Sequence, residues 1–175
     1  MNGTYKIKTV GLLALLLMLV PGPNVYAEGY IAINGELQAV GCTVNGDGNI
    51  DVPLDGVKLN TLNQKGAVAG KTPFTIGLNC YSNTQVNISL SSSHQDSYGT
   101  GVLSNTTGDG QSSGIGIQVL DQNSAPVTLG KSFTVINSAT DGSNSIQLYA
   151  QYIRTGDSVS AGSIKTDADY TLSYN

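Results

Sequence analysis

A chain of 175 residues with 8 Lys or Arg against 12 Asp or Glu has a formal charge of −4, and its single His and lack of Trp leave it poor in the usual catalytic and metal-binding side chains. An acidic balance disfavours nucleic acid, whose phosphates need clustered cations. With 22 glycines and two cysteines, the composition suits short strands, tight turns and one covalent link.

Lys6 and Lys8 precede the apolar run Val10 to Val20, which is followed by Pro21, Gly22 and Pro23 and then by Val25, Tyr26 and Ala27. That order predicts a secretory signal peptide over residues 1–27, cleaved after Ala27. The run is shorter than the ~20 residues that span a bilayer, and no other stretch approaches that length, so the mature chain is expected to have no membrane span. Removing residues 1–27 takes away two basic residues and no acidic ones, which moves the formal charge from −4 to −6 and leaves 148 residues. That is enough for one domain with one core. In an exported chain, Cys42 and Cys80 read as a disulfide that stabilises by about 4 kcal/mol through loop closure. A metal pair would lack ligands, because the only histidine, His94, lies in the polar run SSSHQDSYG.

In the next stretch, EGYIAINGELQAVGC, Ile31, Ile33, Gly35 and Leu37 fall at i, i+2 spacing and share one face of an extended chain. No turn signal allows this terminal strand to close a hairpin on itself, so it needs a sheet from elsewhere.

Short alternating segments follow. Ile50, Val52 and Leu54 alternate, as do Phe74, Ile76, Leu78 and Cys80, and then Val86, Ile88 and Leu90. Ile115, Ile117 and Val119 share a face; Val127 and Leu129 precede a turn at Gly130, with Phe133 and Val135 after it. Ile146, Leu148, Ala150 and Tyr152 alternate, and so do Ala168, Tyr170, Leu172 and Tyr174. No mature segment keeps a helical period, so the chain reads as all-β: two antiparallel sheets packed as an immunoglobulin-like sandwich. The polar stretch Ser91 to Ser113 reads as a surface loop.

Motifs that would carry chemistry fail on inspection. GAVAGKT, Gly66 to Thr72, is one residue short of a phosphate-binding loop and is followed by Pro73 where a helix should begin. NGDGNID, Asn45 to Asp51, has Ile50 where a calcium loop needs glycine and no glutamate at its end, so it reads as a turn. A nucleophilic serine would need a base, and no G-x-S-x-G elbow accompanies His94. Asp167 and Asp169 fall on the polar face of their strand and are expected to face water rather than to form a glycosidase pair. No enzyme activity and no cofactor are expected.

Taken together, the alternating N-terminal strand interrupted by Gly35, the Cys42 and Cys80 pair, the segment GIGIQVLD, Gly162 and the C-terminal Tyr170, Leu172, Tyr174 pattern resemble a subunit of chaperone–usher fimbriae of the type 1 pilin family. The resemblance implies an incomplete immunoglobulin-like sandwich lacking its last strand and completed by donor-strand complementation. It divides the chain into a signal peptide (1–27), an N-terminal donor-strand extension (28–38) and a pilin domain (39–175). Ile31, Ile33, Gly35 and Leu37 would then be the donor residues. Ala168, Tyr170, Leu172 and Tyr174 would line the acceptor groove and dock the chaperone, with Gly162 as the glycine of the C-terminal motif. The implied partners are neighbouring fimbrial subunits, a periplasmic chaperone and an outer-membrane usher, and the implied location is a cell-surface fimbria reached through the periplasm. The competing reading is a stand-alone secreted β-sandwich that binds a carbohydrate or other ligand through its loops.

Overall fold

The structure, a computed structural model, describes residues 34, 37 and 39–175. The chain divides into Met1–Glu36 and Leu37–Asn175, and the fold below is that of the second unit. The expected strand over Ile31, Ile33 and Gly35 lies outside the described residues; Leu37, the fourth residue of that face, is fully exposed.

Eight strands form two antiparallel sheets. The larger is ordered β1 (Cys42–Val44), β2 (Val68–Cys80), β7 (Gly142–Arg154), β5 (Ile115–Leu120), β4 (Val102–Ser104). The smaller is ordered β6 (Ser132–Ile136), β3 (Val86–Ser91), β8 (Asp169–Tyr174). The long β2–β7 ladder runs from Val68 opposite Ile153 to Cys80 opposite Gly142, with a register shift between Ala69 and Thr72. β1 reaches only Leu78 to Cys80 along β2, so the part of β2 that holds Pro73 is an edge, where a missing N–H is tolerated.

The core forms where the alternating faces of the two sheets meet. Ile76, Leu78, Val86, Ile88, Ile146 and Leu148 are all at most 2 % exposed. Burying each of these side chains stabilises by about 1.5–3 kcal/mol relative to leaving it in water.

Two segments differ from the sequence reading. Ile50, Val52 and Leu54 do alternate with exposed neighbours and pack half-buried, but residues 49–58 pair with no strand among the described residues. The apolar period records that one face is covered and says nothing of whether a backbone partner exists. The Ser91 to Ser113 excursion, in turn, is more than a solvated loop. It contains β4, with Val102 and Leu103 buried, and packs back on the large sheet. There the Thr100 carbonyl accepts a hydrogen bond from Gln118 Nε2, while Gln118 Oε1 accepts one from Gln151. Every residue of β5 is therefore buried, on both faces.

Candidate functional site: an open groove beside the last strand

β8 is hydrogen-bonded to β3 along its whole length, from Val86 opposite Tyr174 to Ser91 opposite Asp169. No described strand pairs with its other edge. A strand with one unpaired row of N–H and C=O groups is a template for another strand.

That free edge borders a groove of about 1140 Å³. One wall is β8 with the residues that lead into it: Ala168, Tyr170, Leu172 and Tyr174 are half-buried and line the groove, whereas Asp167, Asp169, Thr171 and Ser173 are exposed. The opposite wall is the unpaired segment Asp47 to Leu54. The floor is apolar and belongs to both sheets, with Phe74, Ile76, Leu90, Leu103, Ile117 and Val119. Lining residues follow β8 from end to end, a length of about 20 Å for a six-residue strand, and that shape suits an extended chain better than a small molecule.

Polar side chains also line the groove, among them Asp47, Asp51, Lys165 and Asp167. Tyr170 Oη donates to the Gly48 carbonyl at 2.8 Å, which links the two walls. Burial raises the Tyr174 hydroxyl pKa above its ordinary value, with a further contribution from neighbouring Tyr170. Burial likewise raises that of Tyr152, helped by the Asp55 carboxylate. Asn45 to Asp51 folds as a turn in which Asp47 accepts hydrogen bonds from the backbone and side chain of Asn49, and these hold its carboxyl below the ordinary range. His94 Nδ1 lies 3.4 Å from the exposed carboxylate of Asp167 and 3.5 Å from the exposed Ser93 hydroxyl. The GAVAGKT stretch runs into β2, where Lys71 donates to Ser124 Oγ and lies over the Tyr149 ring. Among the described residues, no three His, Cys, Asp or Glu side chains are grouped to hold a metal.

The other residues singled out in the sequence lie around this groove. Cys42 and Cys80 are opposite one another in β1 and β2 and are joined by a disulfide. Gly162 lies in the segment before β8 and lines a smaller cavity of about 160 Å³ that shares Tyr152 and Ile164 with the main groove. A Cβ on Gly162 would come within 2.5 Å of the Gln111 carbonyl carbon and the Ser112 nitrogen, so only glycine lets these backbones approach. Asn105 was not anticipated. Its amide nitrogen donates to the Ser112 and Ser163 carbonyls and its oxygen accepts from the Lys165 N–H, which fixes the chain leading into β8. In the sequence it is one polar residue in a polar run, with no period to mark it.

An all-β sandwich with a free-edged last strand and an apolar groove open beside it defines a class, the immunoglobulin-like sandwiches that lack a strand. Solved structures share this fold, two of them as follows. A type I fimbria protein and antigen of Burkholderia pseudomallei aligns with a TM-score of 0.59 at 23% identity, over 77% of this chain and 94% of its own. A chain from the structure of a chaperone–usher pilus aligns with a TM-score of 0.61 at 17% identity, over 87% of this chain and 99% of its own. In sequence, the family described as Fimbrial protein matches residues 31–175. The major fimbrial subunit SMF-1 of Stenotrophomonas maltophilia (strain K279a) is 31% identical over 159 residues, which is 85% of this chain and 94% of that protein. The chain belongs to the fimbrial protein family and is a structural pilus subunit. The stand-alone ligand binder is thereby set aside.

Proposed function

We propose that this subunit polymerises by donor-strand exchange. Residues 28–38 of one copy, or of a related subunit, lie along the free edge of β8 in the next, and Ile31, Ile33 and Leu37 fill the apolar groove. The free edge of β8 above a groove of its own length supports this reading most strongly. Strand addition supplies main-chain hydrogen bonds for affinity and side-chain pockets for specificity. The three aliphatic side chains offer about 1.5–3 kcal/mol each, and the costs of association reduce that sum.

Export follows from residues 1–27 acting as a signal peptide, and a periplasmic chaperone covers the groove until the usher presents the next subunit. The resulting surface fibre supports cell adhesion and needs no catalytic step or cofactor. A synthetic peptide of residues 28–40 tests the groove: added to the mature subunit, it should raise the unfolding temperature markedly and survive unheated electrophoresis as a complex. A peptide that leaves the transition unmoved would overturn the assignment.

A further inference from the structure

Asn45 and Gly46 follow β1 and open the turn that leads into the far wall of the groove. The sequence holds Asn followed by Gly three times, at Asn2, Asn34 and Asn45, and only the last pair lies wholly among the described residues. Both of its residues are exposed. Gly46 has φ +75°, and nothing lies within 4 Å of the place a Cβ would take, so no neighbour crowds it. The Asn45 N–H donates to the Gly77 carbonyl at 2.9 Å, which holds the start of the turn on β2. Among the described residues, the Asn45 side-chain amide and the Gly46 N–H make no hydrogen bond.

Other side chains of the same kind are restrained. Asp47, before Gly48, accepts at 3.0 and 3.1 Å from the backbone and side chain of Asn49, and these bonds favour its carboxylate, a poor electrophile. The amide nitrogens of Asn105 and Asn144 donate to carbonyls at 3.0 and 2.7 Å.

We propose that Asn45 is a site of spontaneous covalent modification, losing its amide through a cyclic imide formed with Gly46. Hydroxide takes the Gly46 N–H proton, and the freed nitrogen pair attacks Asn45 Cγ. The Cγ–Nδ2 bond breaks, and the nitrogen leaves as ammonia with a proton from water. Water then opens the five-membered ring. Addition at Cγ gives aspartate, whereas addition at the main-chain carbonyl carbon gives isoaspartate, whose chain runs on through Cβ and Cγ. Water and hydroxide are the co-reactants, and no electrons change hands.

Either product adds a negative charge close in sequence to Asp47 and Asp51. Isoaspartate also lengthens the main chain by one methylene, three residues before Gly48, whose carbonyl accepts from Tyr170 Oη at 2.8 Å. Behind Asn45 the chain is fixed by the β1 ladder and the Cys42 to Cys80 disulfide. Ahead of it, residues 49–58 pair with no described strand. The extra length is therefore taken up in the far wall of the groove, and the bridge to Tyr170 is the bond it disturbs.

The mature subunit is incubated at mildly alkaline pH and mapped by tandem mass spectrometry, with fragment series that separate residue 45 from residue 34. Asn45 should lose its amide at least about tenfold faster than Asn49, Asn105 or Asn144. Gly46→Asn, a residue that tolerates the left-handed backbone, should slow that loss about tenfold, because its side chain shields the attacking nitrogen. The isoaspartate form should unfold several-fold faster than an Asn45→Asp subunit, which carries the same charge on a chain of natural length. Retention of the Asn45 amide in the folded subunit while the denatured subunit loses it would overturn the proposal, whether or not Gly46→Asn folds. Equal loss in Gly46→Asn and wild type would exclude attack by residue 46. Equal unfolding of the isoaspartate form and Asn45→Asp would overturn the effect on the groove wall.

Discussion

Cys42 and Cys80 stand opposite one another in the ladder between β1 and β2, and their sulfurs are bonded. The link fastens the first strand of the domain to the end of the longest ladder, beside the unpaired segment that forms one wall of the groove. β1 is only three residues long, too short to hold by its hydrogen bonds alone. Closing a loop of 38 residues is worth about 4 kcal/mol on the chain-entropy model. Denatured, unreduced mature protein should show no free thiol on labelling. A Cys42→Ser, Cys80→Ser subunit should lose stability on that scale in denaturant melts, and an unchanged midpoint would contradict this role.

Gly162 offers a sharper stability test, since the backbone of Gln111 and Ser112 occupies the space its side chain would need. Gly162→Val should destabilise by about 1–3 kcal/mol or more through overpacking. Gly56→Ala serves as the control, because nothing lies within 4 Å of its added methyl. A thermal melt should separate the two variants clearly, and equal melts would mean that the contact yields.

Much of this fold was legible because the apolar period of two survives in a sandwich whose sheets each bury one face. Phe74 to Cys80, Val86 to Leu90, Ile146 to Tyr152 and Tyr170 to Tyr174 all lie in strands. The same signal misled at Ile50, Val52 and Leu54, where one face is covered but no described strand lies alongside. β4 escaped notice because three residues hold too short an alternation, and it sits in a stretch of Ser, Gly and Asn. The alternation of Ala168, Tyr170, Leu172 and Tyr174 was readable from the sequence, while a groove beside them was only what the resemblance implied. The far wall, and the Tyr170 bridge to Gly48, were not readable, because they join residues 122 positions apart.

Tyr174 closes the line of groove residues, and its ring lies 3.7 Å from where a Cβ on Gly41 would stand. Replacing it with Ser removes about 1–3 kcal/mol of buried contact from the surface that the proposed chaperone strand would cover. Periplasmic levels of the Tyr174→Ser subunit should fall several-fold on immunoblots. Unchanged levels would remove Tyr174 from chaperone docking.

Alkali should loosen the same region. The Tyr174 pKa is raised in the folded state by burial and by Tyr170, so its contribution is fully present below the ordinary tyrosine value of about 10 and is lost as pH rises through the raised one. Stability measured in denaturant should thus be flat from about pH 8 and fall above about pH 10. A Tyr174→Phe subunit should fall less steeply, and an identical slope would assign the effect to Tyr152 or another group.

Unheated electrophoresis of fibres sheared from cells tests donor-strand exchange most directly, comparing the wild-type chain with one lacking residues 28–38. A groove filled by a neighbour's strand opens slowly, so wild-type fibres should run as a ladder of multimers that collapses to monomer on boiling. The shortened subunit keeps its own groove and fold but has no strand to donate. It should accumulate as a soluble species and yield no ladder, while still binding an added peptide of residues 28–40. A ladder from the shortened chain equal to that of the wild type would contradict the account.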